Sequence, residues 1–210
     1  MMTREGSERR IACDWDRIPD RVRLPISFDP ELLARDLAEI SGENWIDHFL
    51  TDRYSGNWDV IPLRGPAGVK HPILMIVTTS AMTEFENAPA LAHCPYLDKV
   101  IRSFDAEVRG ARLLRLSPGS TLKEHTDHED TAKDGILRIH IPVVTNPDVV
   151  FLLNGTRIPM EAGSAWYLRL REPHSVTNAG STDRVHLLVD LVMNDGLAAM
   201  LSRAAEAAVP

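Results

Sequence analysis

His125 and Asp127 form an H-x-D pair inside the stretch KEHTDHED (123–130), where two histidines and four carboxylates fall within eight residues. On an extended strand, residues i and i+2 point to the same side, so this pair can converge on one point. Taken alone, H-x-D is also what a solvated loop produces. A second candidate ligand, His174, lies in EPHSV, just after the strand-like run SAWYLRL and beside Pro173, whose ring restricts the backbone. Arg184 follows ten residues later in DRVHLLVDL. Two imidazoles and one carboxylate on one side of a metal leave positions open for other ligands. That is the facial arrangement of non-haem Fe(II) oxygenases. The same donors also suit Zn, Mn or Ni on affinity grounds.

The remaining histidines sort by context. His128 shares a face with His125 only if the segment is helical, and the following DTAKDG argues for a loop. His128, Glu129 and Asp130 are therefore read as bystanders or outer groups. His48, His71 and His93 have no acidic or histidine partner at useful spacing and read as surface or interfacial residues.

The elements that must position these groups change character along the chain. Asp29-Pro30-Glu31 is a helix start, with an N-cap acid, a proline at the first helical position and an acid in the first turn. Leu33, Leu37 and Ile40 follow at helical spacing, and Ser41-Gly42 ends the run. A second helix is expected from Pro95, with Leu97, Ile101 and Phe104 on one face. WDVIPLRG (58–65) reads as a short strand followed by turn chemistry that folds over the mouth of what comes next. HPILMIVTTS (71–80) fits a strand and a buried connection equally. From about residue 107 the segments are short and β-rich, separated by Pro118-Gly119, Asp134-Gly135, Asn146-Pro147, Asn154-Gly155 and Ala179-Gly180. Such spacing predicts a β-sandwich or barrel. Asn154-Gly155, between VVFLL and TRIPM, predicts a tight hairpin, because both central residues of a type I′ turn need positive φ. GLAAMLSRAAEAAV closes the chain as an amphipathic helix or a fraying tail.

The length of 210 residues suits one domain. The expected parts are a loose leader (1–20), mixed helix and strand support (21–106), a β-rich core (107–195) and a C-terminal helix or tail (196–210). A 44% hydrophobic fraction with 25% charged residues supports a packed core. The net charge of −7 and the lack of a basic stripe argue against nucleic acid as a partner. No apolar run reaches the roughly 18–20 residues of a membrane span, and the polar start MMTREGSERR is unlike a secretory signal, so a cytoplasmic location is expected. Cys13 and Cys94 form no CxxC pair and read as free thiols. Metal ligation must then come from His, Asp and Glu.

Five blocks in order, RLLRLSPGSTLKEHTD (112–127), RIHIPVVTNPDVVFLLNG (138–155), MEAGSAWYL (160–168), PHSVTN (173–178) and DRVHLLVD (183–190), give the chain a wider likeness. It resembles the bacterial aspartyl/asparaginyl β-hydroxylase family, Fe(II)- and 2-oxoglutarate-dependent dioxygenases that include some proline hydroxylases. The resemblance implies a mainly β fold with flanking helices, a double-stranded β-helix (jelly roll, cupin-like) with the metal at its open end. It implies His125, Asp127 and His174 as iron ligands, and Arg184 as the partner of the distal C5 carboxylate of 2-oxoglutarate, deeper in the same cavity. A dicarboxylate inside a narrow barrel needs a buried cation, and a guanidinium grips a carboxylate with two parallel bonds.

Arg138 and His140 alternate with Ile139 and Ile141, so they share one strand face. By resemblance that face is the barrel interior, near the other end of 2-oxoglutarate or a substrate carboxylate. His186 shares the face of Arg184, as a supporting donor or a core histidine. One departure stands out. Leu114 occupies the place of a serine that helps hold the C5 carboxylate in relatives, so Arg184 needs another partner, such as water or a tyrosine. Asp127 keeps the carboxylate ligand where vertebrate-type members have glycine.

The activity implied is hydroxylation of an unactivated carbon of an amino acid, peptide side chain or related small molecule, using O2 and releasing succinate and CO2. Arg53, Arg64, Arg138, Trp58 and Trp166 are candidates for gripping substrate. Two rival classes are a cupin-like metalloenzyme that does not use 2-oxoglutarate and a non-catalytic jelly-roll binding module.

Overall fold

The computed structural model describes residues 15, 17–42, 44–77, 82–127 and 135–207. Strict alternation along one strand organises them. β13 (Arg184–Val192) sends Val185, Leu187, Val189 and Leu191 to one face and Arg184, His186, Leu188 and Asp190 to the other, and all eight are buried. Its neighbours β6 (Val108–Leu116) and β8 (Ile136–Val144) repeat the pattern. Ala111, Leu113, Ile139 and Ile141 join the first face, while Arg112, Leu114, Arg138 and His140 join the second.

The larger sheet runs β1 (Arg21–Ser27), β11 (Ser164–Leu168), β8, β13, β6, β4 (Trp58–Pro66) and β2 (Ile46–Asp47), with β5 (Phe85–Asn87) paired to β4. The smaller sheet runs β10 (Thr156–Arg157), β9 (Val149–Leu153), β12 (His174–Asn178), β7 (Thr121–His125) and β3 (Tyr54–Ser55). Between them lies an apolar interior that includes Val60, Leu116, Leu122, Phe151, Leu153 and Val176. This is the expected double-stranded β-helix. Both sheets draw strands from either side of residue 107.

The outer face of the larger sheet is covered by helices. α1 (Pro30–Ile40) packs on β8, α3 (Pro95–Arg102) on β6, and α4 (Asp195–Ala207) on β1. Their buried side chains Leu33, Leu37, Leu97, Ile101, Leu197 and Leu201 meet the first face of the sheet. Leu113, Ile139, Ile141 and Leu187 are 0% exposed there, and each contributes on the order of 2 kcal/mol by burial. This packing fixes the sheet, and with it the direction of every interior side chain. Among the described residues no helix is long and apolar enough to cross a membrane.

Asp29 caps α1, accepting from the backbone N–H of Glu31 at 2.9 Å and of Leu32 at 3.2 Å. Asn154 and Gly155 have φ of 50° and 69° and close the β9–β10 hairpin, with Leu153 opposite Thr156. The C-terminal segment is helical over α4. WDVIPLRG differs from expectation. It is not a short strand with a turn over the mouth but part of β4, nine residues long, hydrogen-bonded between β6 and β2 with Arg64 and Gly65 inside the strand. HPILMIVTTS is neither a strand nor a plain connection at its start. Pro72–Met75 forms a helical turn, α2. Gly65 makes that turn possible, since any Cβ on it would collide with the Met75 carbonyl oxygen. Cys94 is buried and free, while Cys13 and most of the leader lie outside the described residues.

Candidate active site

Strand pairing in the smaller sheet assembles the metal-binding groups. His125 ends β7, His174 begins β12, and the two are directly opposite in the antiparallel ladder, with ring centroids 4.2 Å apart. Asp127 lies two residues beyond the strand, and its backbone N–H donates to Leu170 O at 2.8 Å, tying this segment to the loop that leads into His174. One ligand atom from each of His125, Asp127 and His174 lies within 4.8 Å of the others. Lys123 O is 2.7 Å from His125 Nδ1, and Glu172 O is 3.0 Å from His174 Nδ1. A carbonyl only accepts, so both rings carry their proton on Nδ1 and leave the Nε2 lone pair for a cation. Burial lowers the pKa of His174, which favours the neutral, ligating form.

Beside this cluster is a buried ionic knot. Asp190 is 1% exposed. It accepts from Arg112 Nη1 at 2.8 Å and from Arg138 Nε at 2.7 Å. Burial alone would raise its pKa, but the two guanidiniums outweigh that and hold it well below the usual carboxylate range. Arg138 also reaches Asp127, 3.5 Å from Oδ2, and Arg53 lies 3.8 Å from Oδ1. Arg138 therefore stands on the metal side, engaged with two carboxylates.

Arg184 is at the other end of the interior. It is buried, at 4% exposure, and burial lowers its pKa to about 9. Its Nη2 is 2.9 Å from His186 Nδ1, while its Nε has no partner among the described residues. Both ring nitrogens of buried His140 are likewise unpartnered. Phe151 links the two ends, stacking 6.2 Å from His174 and lying 5.9 Å from the Arg184 guanidinium. The openings beside Arg184 and beside His125 and Asp127 are lined by different residues, and His174 stacks on Phe151, which lines the Arg184 opening. His125, Asp127, Arg53, Arg112 and Arg138 line one of about 410 Å³, whereas Arg184, His186 and Phe151 line a second of about 380 Å³.

Residues 31–194 match the sequence profile of the aspartyl/asparaginyl beta-hydroxylase family. The chain belongs to this family. It is 27% identical over 172 residues to the L-proline cis-4-hydroxylase of Rhizobium meliloti (strain 1021), covering 79% of this chain and 58% of that one. It is 26% identical over 177 residues to L-proline cis-3-hydroxylase 1 of a Streptomyces species, covering 80% and 59%. The chain thus spans less than two thirds of the length of these relatives. In fold it is similar to a 2OG-Fe(II) oxygenase family oxidoreductase from Burkholderia pseudomallei, with a TM-score of 0.54, 16% identity and coverage of 84% and 87%.

For this family member, the donor set of two imidazoles and a carboxylate suits Fe(II). A buried guanidinium with an unpartnered Nε suits the carboxylate end of 2-oxoglutarate, since an isolated buried cation is otherwise costly. The residues present fit both groups. Among the described residues the side chain that meets the Arg184 guanidinium is His186. Leu114 lines the metal-side cavity.

The other sequence candidates divide. Trp58 is buried and lines the metal-side cavity. Trp166 faces the interior opposite His140, but its Nε1 donates to Ser164 Oγ at 2.8 Å and it lines neither cavity. Arg64 is a correction. Its guanidinium donates to Val108 O, Asn87 Oδ1 and Phe85 O at 2.7–3.0 Å, so it clamps β4 to its neighbours instead of facing substrate. His71 and His93 are exposed, and His128, Glu129 and Asp130 lie outside the described residues.

His48 is also corrected. It is buried, stacked 3.6 Å from Trp58, and lines the metal-side cavity. Burial, then Arg112 and Arg53, lower its pKa to about 4. Nothing in its sequence neighbourhood marks it. Arg112 and Asp190 were also missed, although they share strand parity with interior residues, and a buried acid on the face of Arg184 calls for a cation.

Proposed function

We propose that the protein is an Fe(II)- and 2-oxoglutarate-dependent hydroxylase acting on an unactivated carbon of an amino acid, a peptide side chain or a related small molecule. The observation that carries this reading is the pairing of the His125–Asp127–His174 cluster with a buried guanidinium, Arg184, that meets no carboxylate among the described residues. His125, Asp127 and His174 would hold the iron, and Arg184 the C5 carboxylate of 2-oxoglutarate. Bound iron and 2-oxoglutarate supply the oxidising chemistry by which one atom of O2 enters substrate and the co-substrate leaves as succinate and CO2.

The chain's own residues do the positioning. His186 accepts from Arg184 through Nδ1 and so orients the guanidinium. His140, buried beside them with both nitrogens unpartnered, offers a further hydrogen bond to a ligand in the interior. Phe151 and Leu188 give the interior apolar walls that exclude water. Asp190 holds Arg112 and Arg138 side by side at the metal-side cavity, where a substrate carboxylate can meet them. The names of the two proline-hydroxylating relatives make free amino acids the first substrates to try.

The test is 2-oxoglutarate turnover with Fe(II) and ascorbate, followed as succinate, together with mass spectrometry of amino acids and short peptides for a gain of one oxygen. Succinate release coupled to an oxygenated product is expected. Failure to bind or consume 2-oxoglutarate would overturn the reading in favour of a metalloenzyme that does not use it.

A further inference from the structure

The metal-side cavity has two unlike walls. One is cationic, with Arg53, Arg112 and Arg138 facing the single carboxylate of Asp127. Asp190, beneath Arg112 and Arg138, offsets one more charge, so among the described residues three guanidiniums face two carboxylates. The other wall is a column of parallel rings. His48 lies 3.6 Å from Trp58 at 17° and 4.8 Å from Phe49 at 18°. Trp58 closes the inner end of the column, buried to 7% exposure. Phe49 ends it on the outside and is 49% exposed, although it lines the cavity. Leu50, Ile76, Val77, Leu114 and Leu188 add further apolar surface. Leu74, also exposed, lies two residues before Ile76.

An exposed phenylalanine is ordinary on its own. Phe49 ends the stack half-exposed at the cavity, so among the described residues part of its ring is uncovered, and offset stacking is how such faces are best covered. The size agrees. A volume of about 410 Å³ falls within the ~300–1,000 Å³ of pockets that enclose drug-sized ligands.

We propose that the substrate is a carboxylic acid with a flat, aromatic body, its carboxylate on the Arg53–Arg112–Arg138 wall and its ring against the exposed face of Phe49. This deepens the hydroxylase reading, since it takes the His125–Asp127–His174 cluster as the reacting centre. The same site would take a small aliphatic amino acid only with the ring column left uncovered.

The experiment is titration calorimetry of the full chain, loaded with Fe(II) and 2-oxoglutarate under nitrogen, with three probes. L-tryptophan carries both ring and carboxylate, tryptamine the ring alone, and L-proline a carboxylate on a small body. L-tryptophan is expected to bind at least about tenfold more tightly than either of the others. Phe49→Ala should weaken L-tryptophan binding by roughly fivefold, and Phe49→Tyr, which keeps a ring, should preserve it. Tighter binding of L-proline than of L-tryptophan, or an unchanged L-tryptophan affinity in Phe49→Ala, overturns the proposal. A thermal shift with 2-oxoglutarate alone, measured beside it, tests the hydroxylase reading separately. If that shift is absent while L-tryptophan still binds through Phe49, the hydroxylase reading fails and the aromatic-acid site stands.

Discussion

Arg184 Nη2 lies 2.9 Å from Nδ1 of His186, two residues along the same strand, and no described carboxylate meets that guanidinium. A buried cation without an anion is a cost to the fold, of several kcal/mol in general. Arg184→Met should therefore keep or raise the melting temperature while abolishing the stabilisation that 2-oxoglutarate gives the wild type. Thermal melts with and without 2-oxoglutarate check both halves. A variant that melts lower and still responds to 2-oxoglutarate would contradict the assignment.

Asp127 supplies the carboxylate of the ligand cluster found among the described residues. Asp127→Ala should reduce Fe(II) affinity at least about 100-fold, since even outer partners of metal ligands are typically worth 10–100-fold. Equilibrium dialysis against Fe(II) under nitrogen measures it, and unchanged retention would remove Asp127 from the site.

Asp190 accepts from two interior guanidiniums. Asp190→Asn leaves the buried Arg112 without its carboxylate, while Arg138 keeps Asp127, and should cost about 3–5 kcal/mol in urea unfolding. Its depressed pKa means the stabilisation is present at neutral pH and fades only as pH falls below the ordinary carboxylate range. Replacing Arg112, Arg138 and Asp190 together with apolar residues should recover much of the loss, which separates charge imbalance from simple cavity formation.

His48 gives a pH signature. Its folded pKa is about 4 against an ordinary 6.5. Between those values the unfolded chain holds the proton and the folded chain does not, so stability rises with pH through this window. Acidification from 6.5 toward 4 should cost on the order of 3 kcal/mol from this residue. His48→Phe keeps a ring in the column and should flatten that part of the profile, as read by denaturant unfolding at stepped pH.

Gly65 admits α2 to within contact of β4. Gly65→Ala should push Met75 away and displace Ile76 and Val77 from the cavity wall. The expected result is a lower melting temperature together with weaker substrate binding and little change in metal affinity.

Local chemistry in the sequence was enough for several elements. The Asp29 cap, the Asn154-Gly155 hairpin and the alternation of Arg138, His140, Arg184 and His186 are set by backbone preference and side-chain period, which are properties of neighbouring residues. The H-x-D pair was legible for the same reason. His174 could be joined to it because the blocks around both match one family.

What the sequence alone did not decide depends on register and on contacts between distant strands. That His125 faces His174 follows from the β7–β12 ladder, and that Asp190 sits between Arg112 and Arg138 follows from β13 lying between β6 and β8. Arg64 looked available until β4 was seen bonded on both sides, and His48 looked incidental until Trp58 was found beneath it. A charge or a ring takes its role from what lies within a few ångströms, and residues far apart in the chain reach that distance only when the sheets close. The sequence by itself determined which groups could bind a metal and on which strand faces they lie; tertiary structure decided which of them meet, and which were occupied elsewhere.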